Sequence, residues 1–205
     1  MLTLVAMADT HGYHDDLTVP EGDILIHAGD LTRGGSLEEM AEVNAFLARL
    51  PHRHKIVVAG NHDWCFQETP AEARAVLTAA TYLEDEAVII EGLKFYGSPW
   101  QPWFLDWAFN LPRGPELARR WAKIPQDTDI LITHGPPLGF GDRVAGERVG
   151  CEDLLTRVQQ VRPKLHLFGH IHEDGGVWTE GPTTFANVTS DEGMRAVQVL
   201  RFPLA

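Results

Sequence analysis

Apolar runs of strand length recur along the chain at residues 2–7, 24–28, 55–59, 87–90, 93–97, 129–133 and 164–168. Most are continuous rather than alternating, the pattern of strands covered on both faces. Three later runs, at 176–179, 183–188 and 195–202, alternate more and read as antiparallel strands. Between the early strands the period changes. Leu37, Met40, Val43, Phe46, Leu47 and Leu50 follow at helical spacing, opened by a Ser36/Glu39 capping box and stopped by Pro51. Thr69, Pro70 and Glu72 make a second helix start with proline at its favoured first position, and 115–123 and 151–161 carry weaker helical patterns. Strands and helices alternating, then strands alone, predict an α/β protein with mixed sheets, as one domain over 1–205. The segment Gly97-Ser98-Pro99-Trp100-Gln101-Pro102-Trp103-Phe104-Leu105-Asp106-Trp107 fits neither period and reads as a structured loop. It is a flap on the core, a lid or wall of a binding site, or a contact through which a homo-oligomer forms.

Composition narrows the class. An apolar fraction of 44% and a charged fraction of 22% are those of an ordinary soluble globular protein. No apolar run approaches the roughly 20 residues needed to cross a bilayer, so no membrane partner is expected. Leu2-Thr3-Leu4-Val5-Ala6-Met7 has no signal-peptide character, and the expected compartment is the cytoplasm. Cys65 and Cys151 form neither a spaced metal-binding pair nor a disulfide framework; even Cys65, near an Asn-His-Asp cluster, reads as a buried bystander rather than a reactive thiol.

Charge matters more. With 17 Lys and Arg against 29 Asp and Glu the formal net charge is −12, and no basic run is present. Long nucleic acid binds through basic patches that displace counterions, so it is not an expected partner. A small phosphorylated substrate needs positive charge from another source, and bound metal would supply it.

The chemistry gathers where strands end. The first run closes in Ala8-Asp9-Thr10-His11-Gly12, the second in Ala28-Gly29-Asp30 and the third in Gly60-Asn61-His62-Asp63. The 129–133 run closes in Thr133-His134-Gly135 and the 164–168 run in Gly169-His170-Ile171-His172. In open α/β sheets ligands bind beyond the carboxyl ends of the strands, so five such ends point to one shared site. Residues two apart in extended chain point the same way, which lets Asp9 with His11, and His170 with His172, approach a metal together. Oxygen and nitrogen donors without thiolate suit Mn, Fe, Zn or Mg-like ions rather than a structural zinc knot.

This ordered series resembles the motifs of the calcineurin-like metallophosphoesterases. The stretches 97–102, 107–114 and 133–139 are further similar to the branch called metallophosphoesterase-domain-containing proteins, which is like the class III cyclic nucleotide phosphodiesterases. The resemblance implies a four-layer α/β/β/α sandwich of two mixed sheets flanked by helices. It implies two divalent or trivalent ions, Mn first, with Fe, Zn, Mg and Co as alternatives. Asp9, His11 and His172 would hold one ion, Asn61, His134 and His170 the other, and Asp30 would bridge. A metal-bridging hydroxide would attack phosphorus in line. His62, beside a ligand without being one, would meet the leaving group, with Asp63 supporting the turn or the imidazole.

One position departs from the pattern. Many relatives carry an acid three residues after the Asp of Gly-Asp, thought to orient the catalytic histidine; here it is Arg33. Asp63 is the candidate substitute, and Arg33 reads either as a phosphate contact or as a solvated loop residue. Trp100, Trp107, Arg113 and Arg143 complete the candidate substrate contacts, the tryptophans by stacking on a base. His27 and His166 read as core residues, and His14, His52 and His54 as exposed ones. The function expected is hydrolysis of a small phosphodiester, for instance a cyclic nucleotide. The alternatives are a phosphomonoesterase with the same metals, or a metal-stabilised scaffold that binds a nucleotide or protein without turnover.

Overall fold

Continuous apolar strands have two faces to bury, and the chain meets that demand with two sheets placed face to face. The computed structural model describes residues 1–203; residues 204–205, the end of the single domain expected over 1–205, lie outside the described residues. The first sheet has the order β15 (Gln198–Phe202), β1 (Leu2–Met7), β2 (Ile24–His27), β3 (His54–Val57) and β4 (Thr81–Tyr82). Strands β1 to β4 are parallel, and β15 borders β1 antiparallel. The second sheet has the order β13 (Gly176–Glu180), β14 (Thr183–Asn187), β12 (Leu165–Phe168), β9 (Ile130–Thr133), β6 (Leu93–Ser98) and β5 (Glu86–Ile90). Its four inner strands are parallel and its two edges antiparallel.

Alternation along each strand decides the layers. Leu4, Ala6, Ile24, Ile26 and Ile56 face Phe95, Ile130, Ile132, Leu165 and Leu167 across the gap between the sheets. Val5, Met7, Leu25 and Val57 turn the other way, under Met40, Val43 and Phe46 of α1 (Leu37–Arg49), Phe66 of α2 (Trp64–Glu68) and Ala73 of α3 (Pro70–Val76). On the far side Tyr96, Leu131 and Phe185 are covered by α4 (Pro115–Trp121) and α5 (Glu152–Val161) through Leu117, Trp121, Leu154 and Val158. The result is a four-layer α/β/β/α sandwich. Each fully buried aliphatic side chain contributes about 1.5–3 kcal/mol. Among the described residues no helix is long and apolar enough to cross a membrane.

Several local expectations change. The third strand stops at Val57 rather than 59, so Val58 to Gly60 form a buried connection. Strand β4 and helix α2 are too short for a periodic signal. The aromatic segment is only partly loop: Gly97 and Ser98 belong to β6, and β7 (Gln101–Pro102) pairs with β8 (Asn110–Leu111). A hairpin of β10 (Arg143–Val144) and β11 (Glu147–Arg148) stands nearby. Strand β5 is an edge, with Ile89 exposed, rather than a strand covered on both faces. His14 and His52 are buried, not exposed: the ring of His14 lies 4.7 Å from that of Phe46, and His52 Nε2 lies 3.0 Å from the Pro20 carbonyl. His54 is half-buried.

The capping box at α1 forms as the sequence requires, with Ser36 Oγ accepting from Glu39 N at 3.1 Å and Glu39 accepting from Ser36 N at 3.0 Å. Glu39 also accepts from the amides of Arg33 and Gly34. The cap therefore fixes the loop that follows Asp30.

Candidate metal centre

Parallel strands end on one side, and the chain turns sharply there. Asp9, His11, Asp30 and His170 all have positive φ, between 43° and 70°. Left-handed backbone at a non-glycine residue costs about 1–2 kcal/mol, so the packing around these turns must hold them there. Glycine makes the close approach feasible. A Cβ at Gly60 would collide with Asp30 Oδ1, and one at Gly169 would lie 2.6 Å from Asp9 Oδ2. The Asp9 amide donates to the Gly29 carbonyl at 2.9 Å and the His11 amide to that of Asp30 at 3.0 Å, which zips the first two turns together.

The donors converge in overlapping sets. Asp9, His11 and His172 place ligand atoms within 4.8 Å of one another, as do Asp30, His134 and His170, and a third set of His11, Asp30 and His62 links the two. His11 Nε2 stands 3.6 Å from Asp30 Oδ2, which brings the sets together at Asp30. His134 Nε2 lies 2.9 Å from Asn61 Oδ1 and 3.3 Å from Asp30 Oδ2. All seven sequence-predicted ligands therefore meet in one place. Asp9, His11, Asp30, Asn61 and His134 are buried, while His170 and His172 are half-buried.

The fit to a cation is legible at His134. Its Nδ1 lies 3.0 Å from the Ala28 carbonyl, which only accepts, so Nδ1 carries the hydrogen and Nε2 is the nitrogen turned toward the centre. That nitrogen faces Asn61 Oδ1 and Asp30 Oδ2, whose lone pairs repel its own unless a proton or a cation lies among them. In the bare chain a proton does it: burial pushes His134 down, but the Asp30 carboxylate outweighs burial and lifts it to about 9. Burial likewise acts to raise Asp30, and His134 with His11 and His62 overcomes it, holding the carboxyl far below its usual range. Asp9 is pushed up by burial, and burial drives His170 down to about 3, so its imidazole is neutral and able to donate a lone pair. A metal cation would satisfy this set without the proton.

His62 stands at the rim, half-buried, with its Nδ1 2.7 Å from the carbonyl of Arg33. Its amide donates to Asp30 Oδ1 at 2.8 Å. The ring meets His11 edge-on at 4.5 Å and stacks on Trp107 with centroids 4.1 Å apart. Asp63 serves the turn, not the imidazole. Its carboxylate accepts from the amides of Gly60, Leu31 and Thr32 and from the Thr32 hydroxyl, and burial followed by repulsion from Asp30 raises it to about 6.

The candidate substrate contacts scatter. Arg33 Nε donates to the His11 carbonyl at 3.0 Å, and its guanidinium lies over the Tyr13 ring. Trp100 Nε1 donates to Asp85 and its ring carries the Arg120 guanidinium, so it packs between the two outer cores. Arg113 donates to the carbonyls of Val149 and Gly150. Arg143 is exposed on its hairpin, where its amide donates to Asp174. Sequence reasoning missed Asp191, whose Oδ1 lies 3.1 Å from His172 Nδ1. It fixes the ring of a ligand from a turn with no motif, so spacing alone carried no signal for it.

A family model described as Calcineurin-like phosphoesterase matches residues 2–174. The human Metallophosphoesterase domain-containing protein 1 is 46% identical over 90% of this chain, and its mouse counterpart scores the same. The chain spans 65% of the length of these two relatives. A Caenorhabditis elegans UPF0046 protein is 42% identical over 91% of the chain and 69% of its own length. Among solved structures, TT1561 of Thermus thermophilus superposes with a TM-score of 0.65 at 15% identity, covering 97% of each chain, which is a likeness of fold.

Proposed function

The chain belongs to the calcineurin-like phosphoesterases, and from that membership we propose that it is a dinuclear metal-dependent phosphodiesterase acting on a small phosphodiester, such as a cyclic nucleotide. The observation that carries the reading is the placement of Asp30 where two three-residue donor sets meet. Asp9, His11 and His172 would hold one ion, Asn61, His134 and His170 the other, and Asp30 would serve both. Oxygen and imidazole donors suit Mn, Fe, Zn, Mg and Co alike, and Mn is taken first from the family resemblance. When bound, such ions supply Lewis-acid charge for phosphate oxygens and an activated water.

Hydrolysis forms a bond from the water oxygen to phosphorus and breaks the bond to the leaving oxygen, which takes the electron pair and needs a proton. His62 is held for that delivery. The Arg33 carbonyl occupies Nδ1, Trp107 covers one ring face, and Nε2 remains as the atom that gives the proton. Gly60 and Gly169 let ligand-bearing turns close without steric strain. The two cysteines are free and buried, in keeping with a reducing compartment, and we place the protein in the cytoplasm.

The test is hydrolysis of bis-p-nitrophenyl phosphate beside p-nitrophenyl phosphate by chelated protein resupplied with Mn, with Asp30→Asn as control. Metal-dependent diester turnover that disappears in the variant is expected. A preference for the monoester would replace the diesterase reading with a phosphomonoesterase. Tight metal binding without turnover of either compound would leave a scaffold.

A further inference from the structure

Beside the centre lies a groove of about 480 Å³, within the ~300–1,000 Å³ typical of small-molecule sites. It touches the ligand set at His170, which lines it and shares a donor set with Asp30 and His134, not with His62. Its walls are mostly apolar, Trp103, Phe104, Pro136, Val144, Val149 and Ile171, with Glu173 and two arginines among them. The two arginines at the groove have other work, Arg113 on the Val149 and Gly150 carbonyls and Arg148 on Asp142 at 2.5 Å. With both guanidiniums engaged and Glu173 adding negative charge, the surface left for a ligand is largely apolar rather than cationic.

The aromatic wall is built, not loose. The Trp103 amide donates to the Leu111 carbonyl at 2.9 Å, and the Asn110 side chain donates to the carbonyls of Phe104 and Leu105. Yet Trp103 and Phe104 remain 60% exposed as residues, in a chain whose other phenylalanines are mostly buried. The backbone is fixed while the rings face open space beside the ligand set.

A phosphodiester has two organic arms. In in-line displacement one departs opposite the attacking oxygen, and the other stays on phosphorus, off that axis. His62 serves the departing arm. We propose that the groove at His170 takes the arm that stays, and that this arm is an aryl or similarly flat apolar group. Trp103 and Phe104 are then specificity-determining residues, in place of the Trp100 expected from the sequence. This inference rests on the phosphodiesterase reading. A monoester leaves the groove empty, so the groove also accounts for a preference between the two ester classes.

The test holds the leaving group constant and varies the retained arm. Methyl, phenyl and naphthyl p-nitrophenyl phosphates are given to the Mn-loaded chain, each kcat/KM being divided by the hydroxide-catalysed rate of the same ester. Covering an aryl face removes enough apolar area for a rise of roughly ten- to fifty-fold from methyl to phenyl. That ratio collapses toward one in Trp103→Ser and Phe104→Ser. Metal-dependent hydrolysis with a flat series overturns the inference and leaves the phosphoesterase reading standing. If none of the esters is hydrolysed, the phosphodiesterase reading falls and the inference with it. A flat series with a dimer in sedimentation that Trp103→Ser dissociates would make this face an interface between copies, which also overturns it.

Discussion

His166 offers a direct measure of how the core treats charge. It sits in β12 with no exposed surface, its Nε2 2.9 Å from Thr133 Oγ1. Thr133 gives its own hydroxyl proton to the Gly135 carbonyl at 2.8 Å, so the imidazole must donate from Nε2. Nδ1 is then the basic atom, and it is buried without a partner. Burial alone pushes this histidine from 6.5 down to about 3. The unfolded chain takes up the proton below 6.5 and the folded chain only below about 3. Between those values the unfolded state holds more protons, so stability is fully present above the window and falls as pH falls through it. From about pH 7 to about pH 5 the loss assigned to this one residue is about 2 kcal/mol. His166→Gln keeps an amide to meet Thr133 and removes the titration. Urea unfolding of both proteins at the two pH values, with chelator throughout, gives the difference of differences. The variant should lose about 2 kcal/mol less than the parent over that interval, whatever its own stability. Equal losses would refute the reasoning, because His166 would then be charged, or Nδ1 partnered, in the folded chain.

Other perturbations bear on the centre. Gly60→Ala places a methyl group against Asp30 Oδ1, the Asp30 backbone nitrogen and His134, so the Asp30 turn must shift: Mn affinity by calorimetry should fall by about 10–100-fold or more, together with a loss of unfolding free energy in urea. Asp191→Ala frees Nδ1 of His172, which should weaken Mn binding by a similar roughly 10–100-fold factor with little change in unfolding free energy. Trp107→Ala removes the ring stacked on His62; kcat for an alkyl diester should drop roughly ten-fold more than kcat for a p-nitrophenyl diester, since only the poor leaving group requires the proton.

Much of this was legible in the sequence because strand patterning and ligand chemistry report the same geometry. Continuous runs fixed which strands lie between layers, and the punctuation after them lay at the edge where the ligands meet, so Asp9, His11, Asp30, Asn61, His134, His170 and His172 could be named together. The misses have two causes, short elements and long-range contacts. Strand β4, helix α2 and the two short ribbons hold two to five residues each, fewer than a period needs to show itself. His14 and His52 looked like surface residues because burial of a lone histidine is decided by a distant partner, Phe46 for one and the Pro20 carbonyl for the other. Trp100 and Trp103 are three residues apart in one aromatic stretch, yet tertiary contacts with Asp85 and Arg120 claim the first and leave the second open.

Arg33 shows most clearly what a motif can and cannot say. An acid at that position would orient His62 through its side chain, and its replacement by arginine suggested an imidazole without a partner. The main chain supplies the partner instead: the Arg33 carbonyl takes Nδ1 at 2.7 Å, and any residue there has a carbonyl. The side chain then becomes free for another task, holding the His11 carbonyl from Nε and lying over Tyr13. Glu39, through the amides of Arg33 and Gly34, keeps the carbonyl aimed. A neutral carbonyl fixes the tautomer of His62 without adding negative charge beside Asp30. The orientation survives the loss of the acid, while the electrostatic support an acid would give a protonated imidazole does not. In this chain the carboxylate near the ring is that of Asp30, which shares a donor set with His11 and His62, while Trp107 stacks on the imidazole and limits how it can turn.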